Sequence, residues 1–377
     1  MNQKSICIVA PVHHYDDVRV FQKQAVSLAA DSFNVKLYSR AKCDFVKDGV
    51  QIIATPRFKG RIKRFLYLPV LLVKLILDKS DVYLLHNPDT LLLLFGLKLI
   101  GRNVVYDTHE DFSKRILMRK WLPGILRPTL AKLIEYSERA AYLVSDAFIV
   151  TQSTLVEKYG SKSFLIENTP IVSDELNKKI ENSYVTKINH IEGKANFKLV
   201  YVGGISIDRG IIDIFDGLTI VNQYFRCELI LVGPTPKELL KKMQGHCAWK
   251  YVSYKGVLPQ HDAFSWMKNS DVGLIWLKNV GDYSETSPNK LFEYGAMGIP
   301  FIATNFKLWK SKLSEYECGV FIEPESQEDF VNSVKYLYHN KSKRIQMGIN
   351  GKSFVHDKYN WTNEYIKFKV AINRALV

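Results

Sequence analysis

The stretch SICIVAPVHHYDDVRVFQKQAVSLAADSFNVKLY, residues 5–38, decides the fold. It opens on an apolar run, Ser5–Ala10, and closes on another, Asn34–Tyr38. Between them Val18, Phe21, Ala25 and Leu28 recur at helical spacing. Strand, amphipathic helix, strand predicts a parallel sheet covered by helices. The rhythm continues through Val82–Leu85, Asn103–Tyr106 and Ala147–Val150. A polar interval, 171–196, then interrupts it with Asp174, Glu175, Asn177, Lys178, Lys179, Glu181 and Asn182, and ends on a Gly193–Lys194 turn. A second series starts at Phe197: Lys198–Val202, Glu228–Val232, Trp249–Tyr254, Val272–Trp276 and Phe301–Ala303. The expected architecture is α/β, with two Rossmann-like β/α/β domains at 1–180 and 181–352. A C-terminal helix over 353–377 follows, with Tyr365, Phe368, Ile372 and Leu376 near helical spacing and the first domain as its candidate packing partner. Open α/β domains bind ligands beyond the carboxyl ends of their strands. Two in tandem point to a ligand in the cleft between them, so chemistry is sought just after strands.

Composition narrows the function classes. At 377 residues, 47% hydrophobic and 24% charged, the chain is neither disordered nor fibrous. Its net charge of +14 predicts a negatively charged partner: nucleic acid, an anionic membrane surface or a phosphorylated substrate. Nucleic acid is disfavoured, because no helix-turn-helix, zinc finger or single-strand motif is present and the excess is spread over both halves. Cys7, Cys43, Cys227, Cys247 and Cys318 are an odd set without a C-x-x-C pair, which reads as free thiols in a reducing cytosol. Met1–Pro11 reads as a strand rather than a signal peptide, and no apolar run spans a bilayer. A cytoplasmic protein is expected. Peripheral attachment stays open, because 57–79 carry Arg57, Lys59, Arg61, Lys63, Arg64, Lys74 and Lys79 around the apolar run 66–77. Residues 112–132 add Lys114, Arg115, Arg119, Lys120, Arg127 and Lys132 with Trp121. Basic residues interleaved with apolar ones suit an anionic membrane. Two core-packing helices with solvated basic faces fit the pattern equally.

The richest segment is GDYSETSPNKLFEYGAMGIPFIA, residues 281–303. Glu285 and Glu293 are separated by seven residues. Ser287 and Pro288 read as N-cap and first helical position. A helix N-terminus offers unpaired N–H groups and a positive dipole to a diphosphate. Glu293 can accept two ribose hydroxyls, and Glu285, before the helix, can touch a sugar hydroxyl. A capped surface helix with two solvated glutamates has the same spacing. In KLVYVGGISIDRGI, residues 198–211, a strand runs into Gly203–Gly204, where backbone can approach a phosphate and Arg209 can hold it. A tight turn with a surface arginine is the plainer alternative. Gly256, Val257 and Leu258 after the next strand can pair with a flat base through their backbone, or form an ordinary turn. In the first domain His109 follows a strand in VVYDTHED beside Asp107, Glu110 and Asp111. A metal is not expected there, since only one histidine is present and H-E-x-x-H spacing is absent. His13, His14, Tyr15, Asp16 and Asp17 after the first strand can bind an acceptor, or form a solvated loop with an aspartate N-cap.

At these residues the chain resembles retaining nucleotide-sugar glycosyltransferases of the GT-B fold, specifically glycosyltransferase family 4. The resemblance rests on Glu285-x7-Glu293 within SPNKLFEYGAMGIPFIAT, supported by YVGGISIDRGI, LILVGP, YKGVLP, HNPDTL, YDTHEDF and ERAAYLVSDAFIVTQS in matching order over nearly the whole chain. It implies a nucleotide-diphosphate sugar bound mostly by the second domain, and a saccharide or lipid-linked acceptor. Glu293 would match the ribose-binding glutamate and Glu285 the one near the donor sugar. Pro288, Asn289, Lys290 and Leu291 would offer backbone N–H groups to the diphosphate. Arg209 would match a basic phosphate-binding position, and His109 the first-domain histidine that touches the donor sugar. Many members carry arginine where this chain has Gly204, so the phosphate charge falls to Arg209 or Lys290.

Breaking an anomeric C–O bond builds negative charge on the leaving diphosphate. A helix N-terminus with Arg209 stabilises that charge with no metal or other cofactor required. The expected reaction is retaining transfer to a hydroxyl, by same-face attack, with a diphosphate oxygen taking the acceptor proton. Polysaccharide or glycolipid synthesis is the expected setting. A sugar-nucleotide epimerase or hydrolase, or a non-catalytic nucleotide-sugar binder, are the alternatives.

Overall fold

The computed structural model describes residues 3–58, 60–119, 122–188 and 197–377. Met1, Lys59, Lys120, Trp121 and the Gly193–Lys194 turn lie outside them. The chain divides into two units, one of Met1–Asn168 with Trp361–Val377, the other Thr169–Asn360. The divisions at 180/181 and 352/353 therefore shift. The polar interval is not a linker: helix Asp174–Ile188 forms there and packs on helix Gln260–Lys268, with the Ser183 hydroxyl donating to Asp262. A helix needs one buried stripe, and Ile180, 1% exposed, supplies it in an otherwise polar segment. The expected helix over 353–377 is two helices. Lys341–Asp357 ends before Asn360, whose amide donates to the Val355 and His356 carbonyls, and Trp361–Leu376 starts anew in the first unit.

The first unit holds β1 (Ser5–His14), β2 (Asn34–Arg40), β3 (Phe45–Lys47), β4 (Val50–Thr55), β5 (Val82–His86), β6 (Asn103–Thr108), β7 (Ala147–Val150) and β8 (Ser163–Leu165). Their order is β3-β4-β2-β1-β5-β6-β7-β8, parallel except for β3 against β4. Strand order reverses between β1 and β5. The stretch after β1 is helical as expected, a π-helical Val18–Ala25 continuing into α-helical Val26–Ala30. Helices Arg61–Asp78, Leu91–Leu99 and Arg127–Val144 cover one face of the sheet, burying Leu68, Leu71, Leu75, Leu94, Leu97 and Ala141 against Val9, Tyr83, Leu85, Tyr106 and Phe148. The C-terminal helix lies along β6, β7 and β8; its Trp361 indole donates to Ser27 and its Tyr365 hydroxyl meets Asp31.

The second unit holds β9 (Phe197–Val202), β10 (Cys227–Val232), β11 (Val252–Gly256), β12 (Val272–Ile275), β13 (Phe301–Thr304) and β14 (Gly319–Ile322). The order β11-β10-β9-β12-β13-β14 is parallel throughout and reverses between β9 and β12. Such a doubly wound sheet is buried on both faces. Accordingly one core gathers Leu199, Tyr201, Leu229, Leu231 and Trp276, and the other Val200, Ile230, Ile275, Phe301 and Tyr294. Trp249–Tyr251 is a 3-10 turn rather than the start of β11. Cys7, Cys43, Cys227, Cys247 and Cys318 are all free thiols. Among the described residues no helix is long and apolar enough to cross a membrane.

Candidate functional site

In each unit, most candidate residues gather where strand order reverses; Gly256, Val257 and Leu258 instead follow the edge strand β11. In the second unit, β9 leads into Gly203, whose N–H donates to the Val232 carbonyl at 2.8 Å. Gly203 has φ +126°, and a Cβ there would stand 2.5 Å from Lys290 Cε. The glycine leaves room for the lysine. Arg209 folds back, its Nη1 donating to the Gly204 carbonyl at 3.2 Å. Gly210 follows at φ +69°, pressed so closely to the Trp276 carbonyl that a Cβ would lie 2.0 Å from its oxygen. The Lys290 ammonium donates to the Tyr201 hydroxyl at 3.1 Å. Tyr201 was not apparent as a site residue: at the end of an apolar strand it reads as core, and only its hydroxyl reaches the site. Burial, then the Arg209 charge, push Lys290 down to about 7. Two cations held side by side are relieved by an anion between them.

Lys290 is in the first turn of helix Asn289–Ala296. The helix begins one residue later than expected: Pro288 is the N-cap and Asn289 the first helical position. Ser287 instead accepts from Lys312 at 3.0 Å. This narrows the candidate phosphate donors. Pro288 has no N–H, and the Leu291 N–H is directed at the Pro288 carbonyl, 3.2 Å away. Asn289 and Lys290 are the first-turn donors that helix geometry leaves without an intrahelical partner. Glu293 is one turn further on, half-buried. Glu285 ends the short 3-10 turn Tyr283–Glu285, its N–H donating to the Asp282 carbonyl at 3.0 Å. The Trp309 indole donates to Thr286, fixing the loop between the two glutamates. Gly256 takes φ +67° and its carbonyl already accepts the Gly233 N–H at 2.7 Å. Val257 is exposed, and Leu258 packs on the core.

In the first unit, the carboxyl ends of β1, β5 and β6 bring together three histidines and two aspartates. His13 meets Asp17 through Nδ1 at 3.0 Å and the Asn87 amide through Nε2 at 2.6 Å. Asp17 also caps the helix after β1, accepting from the Arg19 and Val20 N–H groups. Burial works to raise its pKa, but His13 and the Val20 N–H hold it well below the usual carboxylate range. His86 Nδ1 lies 2.8 Å from His109 Nε2. Beneath them Asp107, wholly buried, takes a forked pair of bonds from Arg19 at 3.0 and 3.1 Å and one from Gln24 at 2.6 Å. Burial opposes its charge, yet Arg19 and the histidines bring it down to about 2. His109 is pushed down to about 4 by burial, against the pull of Asp107. It is therefore neutral near pH 7, and its carbonyl accepts the Thr151 hydroxyl at 2.7 Å.

The expected acceptor cluster splits. His13 and Asp17 join His86 and His109. His14 lies against the tilted ring of Tyr15, which meets Phe45, while Asp16 pairs with Lys47. His13 and His14, adjacent at the end of β1, point to opposite faces of the sheet, and Tyr15 to Asp17 lie in the turn beyond it. The expectation of a lone histidine is corrected as well. His86, Asp107 and His109 place ligand-type atoms within 4.8 Å of one another. The donor set is a poor fit to a cation, because Asp107 is taken by Arg19 and Gln24 and the two imidazoles bond each other. His86, 23 residues from His109, showed only as part of HNPDTL; strand pairing joins them.

Two Rossmann-like domains in tandem, with polar groups at both switch points, are the GT-B fold. Residues 186–354 match the family model of glycosyl transferases, group 1. A comparison with curated protein sequences finds no match. Among solved structures, a sucrose-phosphate synthase from Thermosynechococcus elongatus is similar at TM-score 0.77 and 15% identity, over 99% of both chains. WaaG, a glycosyltransferase involved in lipopolysaccharide biosynthesis, is similar at 0.70 and 16%, over 97% of this chain and 98% of its own. Anabaena HepE, in complex with UDP and glucose, is similar at 0.69 and 11%, over 98% and 100%.

Proposed function

We propose that this protein is a retaining glycosyltransferase that moves a sugar from a nucleotide-diphosphate sugar to a hydroxyl acceptor. The observation that carries the reading is the pair of cations, Arg209 and Lys290, beside Gly203–Gly204 at the start of helix Asn289–Ala296. Lys290, held partly discharged by burial and then by Arg209, regains its charge when a diphosphate arrives. Charge on that diphosphate peaks as the glycosidic bond breaks, so the same groups favour the transition state over the ground state. Glu293 is assigned to ribose, Glu285 to the donor sugar and the Val257–Leu258 backbone to the base. In the first domain His109, neutral and tied to His86, is assigned a hydrogen bond to the donor sugar, and His13 with Asp17 the acceptor side. A diphosphate oxygen takes the acceptor proton, which requires no metal. The nucleotide held by HepE supports UDP as the probe of first choice. The involvement of WaaG in lipopolysaccharide biosynthesis supports a role in cell-surface polysaccharide or glycolipid synthesis; a cytoplasmic location is part of the same proposal.

The test is a panel of nucleotide sugars, with nucleotide release read with and without saccharide and lipid-linked acceptors. Release that depends on acceptor, with retained anomeric configuration in the product, is expected. Release without acceptor at the same rate would make the protein a hydrolase.

A further inference from the structure

We propose that the outward side of the first domain's three-helix layer docks on a lipid bilayer whose headgroups carry negative charge. Helices Arg61–Asp78, Leu91–Leu99 and Arg127–Val144 pack side by side on one face of the sheet. Each has satisfied the core with one stripe and carries a second apolar stripe facing outward. On the first helix, Leu66, Val70, Val73 and Leu77 follow one another at helical spacing, with Leu66 and Leu77 each 72% exposed. On the second, Leu92 and Leu99 stand one repeat apart, Leu99 at 87%. On the third, Leu133, Tyr136 and Leu143 repeat the pattern, Leu143 at 73%, and Ile125 and Leu126 extend it into the preceding turn. A helix that is apolar all round is ordinarily buried all round. Here three neighbours leave the same side uncovered, which marks an interaction surface.

Charge selects the occupant. Lys63 and Lys74 are exposed beside the first stripe, and Lys132 beside the third. The acids of these helices are turned away or paired. The Asp78 carboxylate is 5% exposed and bonded to Lys36, Glu138 is buried, and Glu135 is held by Arg139. A second copy of the chain, joined about a two-fold axis through this face, would set cations against cations. A bilayer takes the leucines and valines at its acyl boundary and meets the lysines with anionic headgroups. The inference stands independently of the proposed sugar transfer.

The experiment is co-sedimentation of the whole chain with phosphatidylcholine vesicles, with and without phosphatidylglycerol, at low and high salt. Binding to the anionic vesicles at low salt, weakened by salt, is expected. Val70→Glu/Val73→Glu should lower partitioning at least tenfold while circular dichroism and the thermal midpoint stay unchanged. Lys63→Gln and Lys74→Gln should each cost about fivefold on anionic vesicles and little on neutral ones. These surface changes do not touch the core, so they keep the idea testable if the glutamate variant misfolds. No binding at low salt, equal binding to both vesicle types, or a stable dimer dispersed by the glutamate variant would overturn the proposal.

Discussion

The Lys290 ammonium stands 4.2 Å over the Tyr201 ring and within hydrogen-bond reach of its hydroxyl. This places the charge against an aromatic face and a neutral oxygen. The lysine releases its proton near 7 when folded, against an ordinary 10.5. Between those values the unfolded chain holds the proton and the folded one does not, so this group makes stability rise with pH across that window. Diphosphate binding reverses the shift. UDP affinity is therefore expected to fall from pH 7 to 9, by as much as about tenfold per unit. Calorimetry at pH 8 in buffers of different ionisation heat should show proton uptake on binding, absent in Lys290→Met.

Glu293→Ala is expected to weaken UDP binding about ten- to hundredfold, since a charge-assisted hydrogen bond is worth roughly 1.5–3 kcal/mol. Glu285→Gln should impair use of the donor sugar and leave UDP affinity nearly intact. Equal losses in both variants would mean that Glu285 serves the loop and not the sugar.

Arg209→Ala should lower kcat more than it raises the acceptor KM, because the phosphate charge it meets is greatest in the transition state. Steady-state kinetics with the acceptor varied separates the two. A raised acceptor KM at unchanged kcat would contradict the role given to Arg209.

Arg19→Met should destabilise the protein by about 3–5 kcal/mol, read from the denaturant midpoint, because it leaves the buried Asp107 carboxylate uncompensated. Asp107→Asn added to that variant should restore part of the loss. The depressed pKa of Asp107 stabilises the wild type above its ordinary 3.8 and ceases to do so as pH falls through about 2.

Glu138 has the opposite sign. Buried beneath Tyr106, Thr108 and Tyr159, which all donate to it, its carboxyl is pushed up to about 7 from 4.5. Burial outweighs the three hydrogen bonds. The folded state holds the proton between those values while the unfolded state releases it, so stability falls as pH rises from 4.5 to 7. Thermal melts of Glu138→Gln should lack this component of the pH slope.

The alternation of strands and helices was legible in the chain, because period and punctuation are local properties. Four strands were not apparent: β3, β4, β8 and β14. Phe45–Lys47 and Ser163–Leu165 have three residues each, too few to show a period, and Val50–Thr55 and Gly319–Ile322 sit among polar neighbours. The start of helix Asn289–Ala296 was misread by one residue, since Ser-Pro fits two cap registers and Lys312 draws the serine away.

By itself the sequence determined the α/β class and the two series of strands, since these follow from period along a continuous chain; Glu285, Glu293, Arg209 and Lys290 were grouped by the resemblance to family 4 glycosyltransferases and not by spacing alone. Only the tertiary structure decided which distant residues meet. Strand pairing set His86 against His109, Arg19 sank onto Asp107, and Tyr201 came under Lys290. It also turned the leucines of residues 61–78 into two stripes, one inside and one outside. Hydrophobicity is a property of each residue, but burial depends on which neighbours are present to cover it. The last turn of the domain division rests on the same cause: residues 361–376 read as one more helix, and Ser27 and Asp31, more than 330 positions away, are what hold it to the first domain.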